Sequence, residues 1–413
     1  MKTVGIIAEY NPFHNGHLYQ INKIKEITNA DYVIVVMSGN YVQRGTPAIL
    51  HKYARTQMAL LNHVDAVFEL PVCYATASAE YFAYGAISLL QKLGVVDYLC
   101  FGSECGDITL LQTIAQFLIN EPDDYKEALL RYQKSGETYP KARAMAIIET
   151  LKESSDVNSK ELYDVLTSPN NILGIEYLKA LNKLDSTMEP ITILRKGAGY
   201  HSEEMEEVNP SATAIRKHLI EYSTTETLTQ LPNSCINLLK ELYQVSYPMT
   251  ADDFSSLLYY QLSQKKDQLT SYQDVSGDLA NRIQNLLVPN MEYTSFTDTL
   301  KTKQLTLTRI NRSLLHILLN LKQSDFETFQ MNNIMYARLL GFRKESSGIL
   351  KEIQNKRSCP LITKVADARV LLSDHEYKMF LYDINASHLY DQMIYMKFKY
   401  KMKDEYTFGP VII

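Results

Sequence analysis

A chain of 413 residues, 46% hydrophobic and 22% charged with a net charge of −5, has an ordinary soluble composition and length for a large core in roughly two or three domains. No apolar run approaches a membrane span, and one lysine followed by a strand-like run does not read as a signal peptide, so no membrane partner is expected. Five cysteines, an odd number without a CxxC, exclude a disulfide framework and predict reduced thiols in a cytoplasmic protein.

The apolar run Thr3–Ala8 predicts a buried strand. A polar turn with Asn11, Pro12 and Asn15 follows, and His14-Asn15-Gly16-His17 opens an amphipathic segment that predicts a helix over about 17–28. Strand, turn and helix N-terminus is a layout that receives a nucleotide phosphate, because free backbone N–H groups and the helix dipole point at the anion. Histidines three apart lie on one face of the first turn, suited to donate to a triphosphate whose charge shifts when the α-phosphate is attacked. Gly16 allows close approach to the backbone. A helix-surface pair is the bland alternative. A zinc site needs a third ligand, and no Cys or His pair follows at ligand spacing, so no metal-ligand set is expected.

Further strands are predicted at Tyr32–Ser38, Ala66–Leu70 and Tyr98–Phe101, with helices at about 51–62 and 79–92. The alternation predicts an α/β fold, a doubly wound parallel sheet with ligands bound beyond the carboxyl ends of its strands. HNGH, Ser38-Gly39-Asn40, Glu69-Leu70-Pro71 and Gly102-Ser103-Glu104 all fall at such ends. Residues 105–185 have helical periodicity, and Ile191–Leu194 predicts another strand, followed by Arg195. Pro210-Ser211-Ala212-Thr213 is a helix start with Ser or Thr as the cap and Arg216 in the first turns. From about 220 to 400 the pattern is helix-rich, including an amphipathic helix at 302–321 with Arg309 and Arg312. Residues 301–364 hold twelve Lys/Arg against four Asp/Glu, a local +8 that leaves −13 for the remainder. A basic block inside an acidic chain points to a polyanion, with a solvated helix face as the alternative. Arg309, Arg312 and Lys344 are the candidates for holding RNA.

NPFHNGH, SGNYVQRGTPAILHKYAR, DAVFELP, FGSE, SPNNILGIEYLKAL and SATAIR occur in this order. Together they resemble the bacterial tRNA(Met) cytidine acetate ligase family of the HxGH nucleotidyltransferase superfamily, densely to about residue 220 and thinly beyond. The resemblance implies a nucleotidyltransferase-like (HUP/Rossmann-like) catalytic domain over 1–220 with a helical insertion at about 105–185, then a helical, partly basic, tRNA-binding region over 221–413. It implies that acetate attacks ATP to give acetyl-adenylate, and that the wobble cytidine of elongator tRNA(Met) takes the acetyl group on N4. Catalysis then falls to His14, His17 and Arg216. ATP binding falls to Ile7, Ala8, Glu9, Tyr10, Asn11, Pro12, Phe13, His14, Asn15, Gly16, His17, Leu18, Tyr19, Gln20, Gly102, Asn170, Asn171, Arg195, Ser211 and Thr213. Mg²⁺ is expected with the nucleotide. The KMSKS loop of the related synthetases is missing, as expected for this branch.

Arg44 is a candidate for the acetate carboxylate or a phosphate, in a second basic patch with Lys52 and Arg55. Glu69 and Glu104 are candidates for Mg²⁺ or ribose hydroxyls, or for helix caps. The alternative function is a cytosolic adenylyltransferase acting on a phosphorylated cofactor precursor. It accounts for HNGH and SATAIR but not for the long helical region and its basic block. A non-catalytic RNA-binding module would leave the ATP residues idle.

Overall fold

The computed structural model describes residues 1–152, 159–195, 212–221 and 229–413. The sheet contains β1 (Thr3–Ala8), β2 (Tyr32–Ser38), β5 (Ala66–Leu70), β6 (Tyr98–Ser103) and β7 (Glu189–Leu194), all parallel, in the order β5-β2-β1-β6-β7. Runs such as VGII and VIVVM are apolar without alternation because helices cover both faces. A small hairpin, β3 (Tyr41–Val42) and β4 (Thr46–Pro47), stands beyond the carboxyl end of β2.

On one face lie α1 (Asn15–Thr28), α2 (Lys52–Leu61) and a helix after β7, Ala212–Glu221; Ile21, Met58 and Ile215 meet there in one cluster. On the other lie α3 (Ala79–Lys92) and α4 (Pro169–Lys183), sharing a core through Phe82, Ala86, Tyr177 and Leu178. Four helices, Ile108–Asn120, Asp123–Lys134, Tyr139–Lys152 and Ser159–Thr167, precede α4 and make up the expected helical insertion with it. The helix Ala212–Glu221 is α5; α6 (Leu307–Leu318) and α7 (Asp374–Phe398) contribute Ile310, Leu314, Tyr390 and Ile394 to a third cluster, which also holds Tyr41 of the hairpin.

A helix-rich region is expected after residue 220, yet three strands occur there among the described residues. β8 (Ala337–Phe342) pairs antiparallel with β5, and β9 (Leu361–Ile362) and β10 (Val411–Ile412) pair with β8. The two parts of the chain therefore share one sheet. A buried ion cluster ties them further. Lys52 Nζ lies 2.9 Å from Glu69 and from Glu405, and donates to Ser387 Oγ at 2.8 Å. Arg338 of β8 lies 2.9 Å from Glu69 and also pairs with Glu405. All four charged side chains are at most 4% exposed. Val72 N–H donates to Asp383 of α7 at 2.7 Å, and Tyr390 Oη donates to Ala48 C=O at 2.8 Å.

This overturns the expected patch of Arg44, Lys52 and Arg55, and the reading of Glu69 as a metal or ribose ligand: Lys52 and Glu69 are consumed by the cluster. Arg55 is fully buried, and its guanidinium donates to the carbonyls of Glu9, Ser38, Gly39 and Leu50. Burial pushes it down to about 10, so it remains charged at neutral pH and fastens the carboxyl ends of β1 and β2 together. Four of the five cysteines are buried and Cys105 half-buried, all unpaired. No helix among the described residues is long and apolar enough to cross a membrane.

Candidate active site

A cleft of about 1140 Å³, its open mouth included, lies beyond the carboxyl ends of β1 and β6. Its floor is Ile7 to Asn11 with Phe101 and Gly102. His14 at the N-cap of α1, His17 and Gln20 of α1, and Thr213 and Arg216 of α5 line one side, and Phe82, Asn170, Leu173 and Tyr177 of α3 and α4 line the other. Gln43 and Arg44 of the hairpin enter from the β2 side, Arg195 from the β7 side.

HNGH forms a capping box built from imidazoles. His14 is the N-cap of α1, with its Nδ1 accepting from Gly16 N–H at 3.1 Å. His17 stands three residues on, and its Nδ1 accepts from His14 N–H at 3.2 Å. This is the reciprocal pairing that Ser/Thr and Glu/Gln usually supply at the same spacing. Because each Nδ1 accepts, a neutral ring carries its proton on Nε2. The remaining first-turn groups are also taken: Asn15 N–H donates to Gln230 C=O and His17 N–H to His14 C=O, both at 2.9 Å. The backbone N–H groups expected to meet the anion are thus used internally, and the imidazole Nε2–H groups take over as donors. Gly16 has a different use from the expected one: a Cβ there would lie 2.9 Å from His14 Cε1, so its absence lets the ring fold back onto the helix end.

His14 is buried and His17 half-buried, and the two rings shield one another. They stack at 3.7 Å between centroids, and Tyr10 packs edge-on to His17 at 4.8 Å. Burial, then the charges of Arg195 and Arg216, pushes His14 down to about 3. Burial, then His14 and Arg195, holds His17 well below the usual imidazole range. Both are therefore neutral donors in a positive cleft. In the unfolded chain they protonate near about 6.5 while the folded chain resists, so this contribution to stability is full above that pH and lost as pH falls below it. In protein without ATP, the imidazole carbon–proton NMR signals of both should hold their neutral positions down to about pH 5; titration near about 6.5 would show a wet, exposed pair.

Arg216 donates from Nη1 to Asn11 C=O at 2.9 Å and from Nη2 to Thr213 Oγ1 at 3.1 Å, which aims it across the mouth of the β1 turn. Thr213 lies inside α5 rather than capping it, and Ser211 lies outside the described residues. Arg195 crosses Gly102, where a Cβ would come 3.2 Å from its Cγ. Glu104 is a helix cap: its carboxylate accepts from the N–H groups of Asn170 and Asn171 and from Asn170 Nδ2 at 2.6 Å. That corrects the metal or ribose reading for Glu104. Asn171 is 1% exposed and does not line the cleft; its Oδ1 accepts from Glu104 and Cys105 N–H, and its Nδ2 donates to Val165 C=O.

Residues 1–406 match the HIGH Nucleotidyl Transferase family. The chain is 41% identical to the tRNA(Met) cytidine acetate ligase of Halothermothrix orenii over 88% of its own length and 87% of the relative's. It belongs to this family of HIGH nucleotidyltransferases. The tRNA(Met) cytidine acetate ligase of Clostridium perfringens is 40% identical over the full length of both chains. The crystal structure of apo Thermotoga maritima TmcAL superposes with a TM-score of 0.93 at 31% identity, over the whole of both chains. The form bound with alpha-thio ATP gives 0.90 at 31% identity, covering 100% of this chain and 99% of that one.

Within this HIGH nucleotidyltransferase frame, several expected residues stand behind the cleft rather than in it. Pro12, Phe13, Asn15, Gly16, Leu18 and Tyr19 do not line it: Phe13 is fully buried, and Asn15 Nδ2 donates to Thr229 C=O. Phe82, Leu173, Tyr177 and Gln43 line it without having been expected. Asn170, Leu173 and Tyr177 recur at helical spacing and so share one face of α4, a signal present in the sequence. Phe82 sits in an apolar helix and gives no such signal.

The basic block is not one surface. Arg338 is internal. Arg312 lies 3.2 Å from Asp274, and the backbone at Asn311–Arg312 packs on Gly45 of the hairpin, where a Cβ would come within 2.3 Å. That places α6 at the cleft end of the sheet. Lys344 lies at the other end: Phe342 pairs with Ala66, the first residue of β5, and Arg343 N–H donates to Asp65 C=O at 3.0 Å. The five residues of β5 separate the two ends by roughly 15 Å. Arg309 and Lys344, both exposed, therefore face different regions.

Proposed function

We propose that the chain is an ATP-dependent acetate ligase. Acetate attacks the α-phosphate of ATP to give acetyl-adenylate and pyrophosphate. The N4 amine of the wobble cytidine in elongator tRNA(Met) then attacks the acetyl carbonyl, and AMP leaves. The observation that carries this reading is the pair of neutral Nε2–H donors flanked by Arg195 and Arg216 beyond β1, in a chain with these relatives. Such donors are fixed before the reaction, so charge moving onto the leaving pyrophosphate meets them without reorganisation. His14, His17 and Arg216 serve the triphosphate, with Thr213 on the same side. Gly102, Asn170 and Arg195 serve the nucleoside side. Mg²⁺ fits this site: phosphate oxygens and water supply most of its ligands, and Glu9 is the carboxylate lining the described cleft. When bound, it would add positive charge beside the α-phosphate.

The tRNA surface we propose is the end of the molecule next to the hairpin, where Lys301, Lys303 and Arg309 are exposed. These residues hold backbone phosphates while the wobble base, splayed from its loop, enters the cleft. A Lys303→Glu, Arg309→Glu variant should keep acetate-dependent pyrophosphate exchange and acetylate tRNA poorly, with a shallower dependence of tRNA affinity on salt. Arg312 is left intact because a glutamate there would face Asp274. Equal loss of both activities would place these residues in the ATP site or the fold.

Labelled acetate, ATP and total tRNA test the function as a whole. Label in tRNA, with AMP and pyrophosphate released, is expected. A nucleotide adduct of a phosphorylated metabolite, formed without tRNA, would establish the adenylyltransferase instead.

A further inference from the structure

Resting on the acetate-ligase reading, we infer that the hairpin end of the cleft is the carboxylic-acid subsite, in which Arg44 holds the acetate carboxylate and Phe82, Leu173 and Tyr177 enclose its methyl group. Geometry of the displacement comes first. The attacking oxygen and the leaving pyrophosphate stand on opposite sides of the α-phosphorus, roughly in line. The leaving side is the one with His14, His17 and Arg216. Along the carboxyl edge of the sheet the order is β2, β1, β6, β7. Arg195 and Arg216 follow β7 and are the cations that depress His14, whereas Arg44 follows β2 and enters from the other side. A carboxylate approaching an anionic triphosphate needs a cation of its own, and Arg44 is placed to supply it with a two-point grip.

The segment that carries Arg44 is fixed from both sides. Gln43 N–H donates to Glu9 Oε1 at 2.9 Å, and Gln43 Nε2 donates to Ala77 C=O at 3.3 Å. Gly45, at φ +78°, closes the turn with N–H to Val42 C=O at 2.9 Å and lies against the α6 backbone. The wall formed by α3 and α4 is apolar: Phe82 is 2% and Tyr177 3% exposed, and Leu173 lies between Asn170 and Tyr177 on the same helix face. A guanidinium beside a small apolar wall suits a short carboxylic acid. In the step itself a carboxylate oxygen bonds to the α-phosphorus, the bond to the bridging oxygen of pyrophosphate breaks, and the electron pair leaves with pyrophosphate. No proton moves, so Arg44 binds and orients without acting as an acid.

Exchange of labelled pyrophosphate into ATP, with acetate, propionate or butyrate and no tRNA, tests this. Arg44→Met should raise the KM for acetate by about 10²-fold while the KM for ATP stays within about twofold, and Arg44→Lys should recover part of the loss. If Arg44→Met does not fold, Arg44→Lys carries the test, again with a selective rise for acetate. Phe82→Ala should shift preference toward propionate or butyrate by about 10-fold, the scale of one or two methylenes in an apolar pocket. An unchanged acetate KM, or a parallel rise for ATP and acetate, overturns the subsite and assigns Arg44 to the fold or the triphosphate. Wild-type protein that exchanges pyrophosphate with none of these acids overturns the acetate-ligase reading and the subsite with it.

Discussion

Replacing His17 by Asn should slow acetate-dependent pyrophosphate exchange by about 10²–10³-fold while the protein stays folded, the usual cost of removing one fixed donor from a site of developing charge. The choice of Asn follows from the capping box. His17 Nδ1 accepts from His14 N–H, and an asparagine amide oxygen reaches the same position. The cap survives, and only the Nε2–H directed at the nucleotide is lost. His17→Ala would mix this loss with that of a cap, typically about 1 kcal/mol. The measurement is exchange rate beside melting temperature. A melting temperature within a few degrees of wild type with full activity would remove the imidazole donors from the mechanism. A collapse of the melting temperature would make the motif chiefly a structural cap.

Arg338→Met should destabilise the protein by about 3–5 kcal/mol, because it leaves Glu69 and Glu405 buried with Lys52 as their remaining cation. On the scale of large domains this lowers the melting temperature by roughly ten degrees. A second change, Glu405→Gln, should be less costly in the Arg338→Met background than alone, since it removes a carboxylate that has lost its partner. Thermal melts of the four proteins of this cycle are the check. Additive effects would mean that Arg338 and Glu405 are not energetically paired. For the same reason the first 220 residues alone should not fold to an active enzyme: they would expose the β5 edge that β8 covers and the unpaired charges beneath it.

The parallel strands were legible because their signal is local. VGII and VIVVM are apolar runs ended by polar turns, and the bounds of β1, β2 and β5 agree with the expected ones. β8 was not legible for the same reason reversed. ARLLGF carries Arg338 inside a basic stretch, and what permits a buried arginine there is Glu69, far away in the chain, and Glu405, near its end. Lys52 and Arg55 looked like surface cations, since their carboxylate and carbonyl partners come together only when β2, β5 and α7 meet. In the cleft, HNGH, Gly102, Asn170, Arg195 and Arg216 were found from their place at strand ends or from the family resemblance. How HNGH works was hidden, because a capping box is ordinarily read from Ser, Thr, Glu and Gln. Asn171 shows the converse: the side chain next to Asn170 turns inward and supports the turn after β6.

Acetate labelled with oxygen-18 tests the central claim most directly. If acetate oxygen attacks the α-phosphate and the cytidine amine later attacks the acetyl carbon, the bridging oxygen stays with the nucleotide. The enzyme, incubated with ATP, labelled acetate and tRNA(Met), should release AMP carrying one labelled oxygen, unlabelled pyrophosphate, and tRNA with label in the acetyl carbonyl. Label in inorganic phosphate with ADP as the nucleotide product, or unlabelled AMP beside acetylated tRNA, would contradict an acetyl-adenylate formed in this cleft.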